Sequence, residues 1–188
     1  MFRKYENLII KCNDIINEEI FELFCEKVIN SFNYIDNWLN VKYDELSLTL
    51  VSKHEMDLIV KEKSLQYKNM DVPDWLDGFS NFEEAWVVIP KVENFNETCK
   101  VALHELTHLV SYKLDTSQKR IKLLDEGIAV FLSNQYEGKR YTPWVNAYLK
   151  NELPKVSDFC TYDGIEFSKR RRIQILLPYN RIFNKYLW

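Results

Sequence analysis

Glycine and proline are scarce, four and five among 188 residues, which leaves little material for flexible linkers or low-complexity tails. Long apolar runs are also missing. No stretch approaches the roughly 18–20 residues that a helix needs to cross a bilayer, so no membrane association is expected. Residues 1–17 carry charges throughout and lack the apolar core of a signal peptide, so the expected location is cytoplasmic. Neither sign of charge dominates. The 25 basic and 28 acidic side chains are interspersed, and a net charge of −3 gives no footprint for nucleic acid. The four cysteines (Cys12, Cys25, Cys99, Cys160) are far apart and form no C-x-x-C pair, so they read as buried free thiols in a reducing compartment. Histidine is rarer still, with three in the chain, and two of them stand four residues apart.

The 46% hydrophobic and 14% aromatic content provides for a folded core. The first 45 residues read as helical: from Asn17 on, Ile20, Phe21, Phe24, Val28, Ile29 and Phe32 recur at helical spacing. Residues 1–43 are therefore expected to form an N-terminal helical extension, with the main domain at 44–188. Residues 46–52 alternate with period two, as in a half-buried strand, and a helix from Lys53 to about Lys63 follows, capped by Ser52. Residues 70–81, with Pro73, Asp77 and Gly78, read as a loop, and Ala85–Ile89 as a second strand stopped by Pro90. Helices are expected over about 97–113, over 119–136 with a break near Leu124, near 145–151, and over 166–188 with Pro178 as a kink. The fold class is α+β.

His104-Glu105-Leu106-Thr107-His108 carries the chemistry. On a helix, residues four apart share a face, so both imidazoles can close on one metal ion while Glu105 projects beside them toward a water. A catalytic zinc site takes three protein ligands and leaves a fourth position for water. Positions 111 and 114 are Ser and Leu, which excludes the metzincin continuation to Gly and His. No histidine follows, so the third ligand is a carboxylate or thiolate among Asp115, Asp125, Glu126, Glu137, Glu152, Asp158, Cys160, Asp163 and Glu166. Glu126 stands out because Gly127 and Ala129 remove bulk where a second helix would approach the first.

Val101–Val110, containing H-E-L-T-H, followed by Leu124-Asp125-Glu126-Gly127-Ile128-Ala129, resembles the gluzincin metallopeptidases, whose third zinc ligand is a glutamate. Among them it resembles the small peptidase MA-like domains, including the minigluzincins. The resemblance covers roughly residues 44–188. It implies a zincin-like domain with a small mixed sheet, an active-site helix and a glutamate helix. It also implies one Zn2+ per chain, held by His104, His108 and Glu126, with Glu105 as general base on a zinc-activated water. The G-x-M-E-N exopeptidase motif of single-zinc aminopeptidases is absent, which favours endopeptidase action on peptide or protein substrates.

The same resemblance implies that a strand ahead of the active-site helix pairs with extended substrate. Ala85–Ile89 is the matching segment, with Trp86, Val87 and Val88 as substrate contacts. It assigns Tyr179 to oxyanion stabilisation, beside the alternative of a packing tyrosine. Asp125 is a candidate to orient a ligand histidine or meet substrate, beside the alternative of an exposed acid. A thermolysin-like enzyme has an Asp four residues after the glutamate ligand, where this chain has Val130.

His54 reads as a helix-surface residue, Lys169-Arg170-Arg171-Arg172 as a solvated face, and Cys99 as an apolar side chain rather than a regulatory thiolate. The aromatic end, Phe183 with Tyr186-Leu187-Trp188, docks on the core or blocks the cleft as a self-inhibiting tail. Two rivals to the peptidase stand beside it: a zinc-binding module without catalysis, and a metal-free protein with an accidental motif.

Overall fold

The computed structural model describes residues 1–64, 67, 68, 70–114 and 122–135. The chain divides into two compact units, Met1–Gln118 with Ile128–Gln135, and Lys119–Gly127 with Tyr136–Trp188. The first is a mixed α/β unit.

Its sheet begins at the N-terminus. Strands β1 (Phe2–Tyr5) and β2 (Leu8–Cys12) form an antiparallel hairpin in which Tyr5 faces Leu8 across the turn Glu6-Asn7. Glu6 takes a φ of 47°, the positive backbone angle that such tight turns require. Helix α1 (Glu18–Leu39) then crosses over to β3 (Leu46–Val51), which runs parallel to β2 in the register Leu8 opposite Leu46. Asn17 caps α1 by accepting hydrogen bonds from the backbone N–H groups of Glu19 and Ile20, and Asn40 ends it in the left-handed region. The expectation that the first 45 residues are wholly helical is thus overturned for Met1–Cys12. Two of the sheet's strands lie in the stretch expected to be a helical extension, and no division falls at residue 43.

Helix α2 (Lys53–Lys63) follows β3, and Ser52 Oγ accepts from the Glu55 N–H at its start, as the sequence predicts. Strands β4 (Gly78–Ser80) and β5 (Glu84–Val88) form a second hairpin, antiparallel, with β5 also parallel to β3. The sheet order is β1-β2-β3-β5-β4, mixed as expected. A 3-10 turn, Val92–Asn94, leads into helix α3 (Phe95–Leu114).

Side chains alternate between the two faces of a strand, and here that alternation separates two environments. Leu46, Leu48, Leu50, Ala85 and Val87 join one cluster with Phe24, Val28 and Phe32 of α1 and Val101, Ala102, Leu106 and Leu109 of α3. The opposite face carries Thr49 and Trp86, cross-strand neighbours. There Trp86 stacks on Phe79 at 5.8 Å, and Lys63 Nζ of α2 sits 5.1 Å from its ring. Every residue from Val101 to Ser111 is buried, which marks α3 as a central helix.

Helix α4 (Lys122–Leu132) runs through Leu124 without the expected break. Its last turns belong to the first unit, where Ala129 is fully buried and Leu132 joins the core cluster. No helix among the described residues is long and apolar enough to cross a membrane.

Candidate metal centre

His104 and His108 lie one turn apart on α3, both buried, with rings inclined at 80° and centroids 4.7 Å apart. Their Nε2 atoms face each other at 3.0 Å. Two ring nitrogens, each about 2.0–2.1 Å from one tetrahedral ion, stand roughly 3.3 Å apart, so this pair is close to the bite that zinc takes. Glu126, on α4, completes the set: one ligand atom from each of His104, His108 and Glu126 falls within 4.8 Å of the others. All three are buried, and burial of imidazole and carboxylate groups among apolar side chains is costly unless they are paired or coordinate a metal. Two neutral nitrogens and one anionic oxygen are the donor set that suits a divalent ion of the zinc type. This buried group can hold a metal ion.

The reason given above for preferring Glu126 holds in part. Ala129 is packed at the core, but Gly127 is exposed, and among the described residues nothing lies within 4 Å of where its Cβ would be. Among the described residues, Gly127 is therefore not a close-approach glycine. Asp125 sits in the first turn of α4, half-buried. The other acidic candidates for third ligand, apart from Asp125, lie outside the described residues, as do Cys160, Tyr179, the basic run at 169–172 and the aromatic C-terminal segment.

Glu105 is 5% exposed and accepts a hydrogen bond from Ser80 Oγ at 2.7 Å. The contact joins β4 to α3. Gly78, two residues earlier and so on the same face of β4, packs directly on α3. A Cβ there would stand 2.5 Å from Val101 Cγ1 and 2.9 Å from Glu105 Oε1. Next to this group, the ring of Tyr112 lies 6.3 Å from that of His108, and Phe82 packs on Tyr112 at 4.7 Å.

The strand expected to meet substrate is a different matter. β5 has β3 on one side and β4 on the other, so its backbone groups are already taken and it cannot add a further strand. Val87 is fully buried in the core, and Trp86 points to the opposite face of the sheet, beneath Lys63. The assignment of Trp86, Val87 and Val88 to substrate by strand addition is therefore corrected. Among the described residues, the edge strand next to β5 is β4, inside the segment read as a loop. Three residues are too short a run for an alternating pattern to show. A signal was present in Asn81, whose side chain accepts from the N–H groups of Glu83 and Glu84 and shapes the turn of the hairpin.

Cys99 lies near the start of α3 in the apolar cluster, and burial pushes its thiol up to about 11, against a smaller opposing pull from the Lys27 charge. It is a neutral packing side chain, as the sequence predicts. His54 is exposed on α2, again as predicted. In comparisons with known proteins, no family model matches the chain and no curated protein is significantly similar to it.

Proposed function

We propose that this chain is a zinc-dependent metallopeptidase of the gluzincin type, cleaving bonds within peptide or protein substrates, with Glu105 as its general base. The observation that supports this reading best is the convergence of His104, His108 and Glu126 on one small buried volume, with Glu105 next in sequence to a ligand. A divalent ion bound there supplies Lewis acidity, polarising a carbonyl and bringing the pKa of water toward about 7.

The chain's own residues do the rest. His104 and His108 offer Nε2, and Glu126 a carboxylate oxygen, as ligand atoms. The Glu105 carboxylate accepts a proton from water and hands it to the departing amine, a role worth roughly 10²–10⁴ in rate. β4 has a neighbouring strand on one side only among the described residues, and it touches Glu105. An extended peptide pairing with its outer edge is laid beside the base by the same backbone hydrogen bonds that build the sheet.

The test combines metal content with one substitution. Protein purified without added metal is expected to carry one zinc per chain and to hydrolyse an unfolded protein substrate. Glu105→Gln should keep the zinc and lose that hydrolysis. Absence of stoichiometric zinc would mark the motif as accidental. Zinc without any hydrolysis, or hydrolysis indifferent to Glu105→Gln, would leave a metal-binding module.

A further inference from the structure

The general base of a hydrolase must hold one orientation, yet a glutamate side chain turns about three bonds. Glu105 lies on a helix face pressed against β4, and its two carboxylate oxygens meet that strand differently. Oε1 and Cγ lie against Gly78, 2.9 and 3.0 Å from the position a Cβ would take there. Oε2 accepts the Ser80 hydroxyl at 2.7 Å, the length of a strong O–H···O bond to a carboxylate.

We propose that Ser80 is a positioning residue for Glu105: its hydroxyl, donated from the edge strand, fixes the carboxylate in the orientation from which it accepts a proton. The inference rests on the peptidase reading of the site and adds to it a residue outside the metal-binding motif. A carboxylate has about four lone-pair sites, so the Ser80 bond uses one and leaves others for a water proton. Ser80 is half-exposed and belongs to the strand that an extended substrate would join, so the bond ties the placement of the base to the placement of that strand. Gly78 and Ser80 then have separate tasks on one face of β4. The first makes room for the Glu105 side chain, and the second holds its end.

The experiment pairs Ser80→Ala with Ser80→Thr, which keeps the hydroxyl. Ser80→Ala should lower kcat about tenfold, the order expected for losing one hydrogen bond to a charged group, with KM and zinc content unchanged. Ser80→Thr should recover most of it. Crystal structures should show Glu105 in one rotamer in the wild type and in several in Ser80→Ala. A kcat within twofold of wild type, or a Glu105 that does not move in Ser80→Ala, would overturn the proposal. If the wild type hydrolyses no peptide bond, the peptidase reading fails by itself, and the rotamer comparison alone decides the role of Ser80.

Discussion

Gly78 and Val101 are held so close that a single methyl group on the glycine would sit 2.5 Å from Val101 Cγ1. Gly78 has no positive φ, so it is the lack of a side chain and not backbone freedom that the position demands. This approach lets β4 lie on α3, the helix that carries His104 and His108.

Gly78→Ala should therefore destabilise the fold by about 1–3 kcal/mol, the usual cost of overpacking. β4 should shift away from α3, and on the peptidase reading proposed above the loss of hydrolysis should exceed anything the lower stability explains. Urea denaturation and steady-state kinetics on the same sample check both. An alanine variant as stable and as active as wild type would show that β4 gives way freely.

The N-terminal hairpin should be indispensable. β2 fills the place beside β3, and Ile10 is fully buried in the common core. A chain starting at residue 44 should fail to fold, because it exposes the long edge of β3 and loses the α1 face of the core. Ile10→Ala in the whole chain should cost about 2–5 kcal/mol. A soluble, cooperatively melting 44–188 fragment would refute this and restore the extension.

Cys12, Cys25 and Cys99 should resist thiol reagents until the protein unfolds. Burial raises all three above the ordinary value of 9.0, Cys25 to about 12 and Cys99 to about 11. The unfolded chain releases these protons first, so their contribution to stability is complete below pH 9 and declines as the pH climbs through about 11 for Cys99 and about 12 for Cys25. Melting curves across that window, and counting thiols that react with Ellman's reagent before and after denaturation, are the checks. Rapid labelling of native Cys25 or Cys99 would contradict the burial.

Trp86 should matter to stability and not to substrate choice. Trp86→Phe keeps a ring against Phe79 but weakens the contact with the Lys63 charge, for an expected cost of about 1 kcal/mol. On the peptidase reading proposed above, the set of peptide bonds cleaved, read by mass spectrometry, should not change. A shifted cleavage profile would return Trp86 to the substrate.

Local pattern accounts for what was legible in advance. The stripe from Ile20 to Phe32 became α1, the alternation at 46–52 became β3, and Ser52 capped α2, because each depends on periodicity or on a cap a few residues away. The hairpin β1–β2 was not legible. Its turn is Glu6-Asn7, without the glycine that ordinarily announces so tight a reversal, and Leu8-Ile9-Ile10 is an apolar run too short to tell strand from helix. β4 escaped for the same reason of length.

By itself the sequence determined the chemistry on offer, since the spacing of His104 and His108 dictates that a helix will present both imidazoles on one face. It also determined that Cys99 would be an apolar filler. Only tertiary structure decided which strand borders Glu105, because strand order depends on pairing between distant segments and leaves no mark on any one of them. That ordering buried β5 between two neighbours, put β4 at the edge among the described residues, and set the Ser80 hydroxyl on the carboxylate of Glu105.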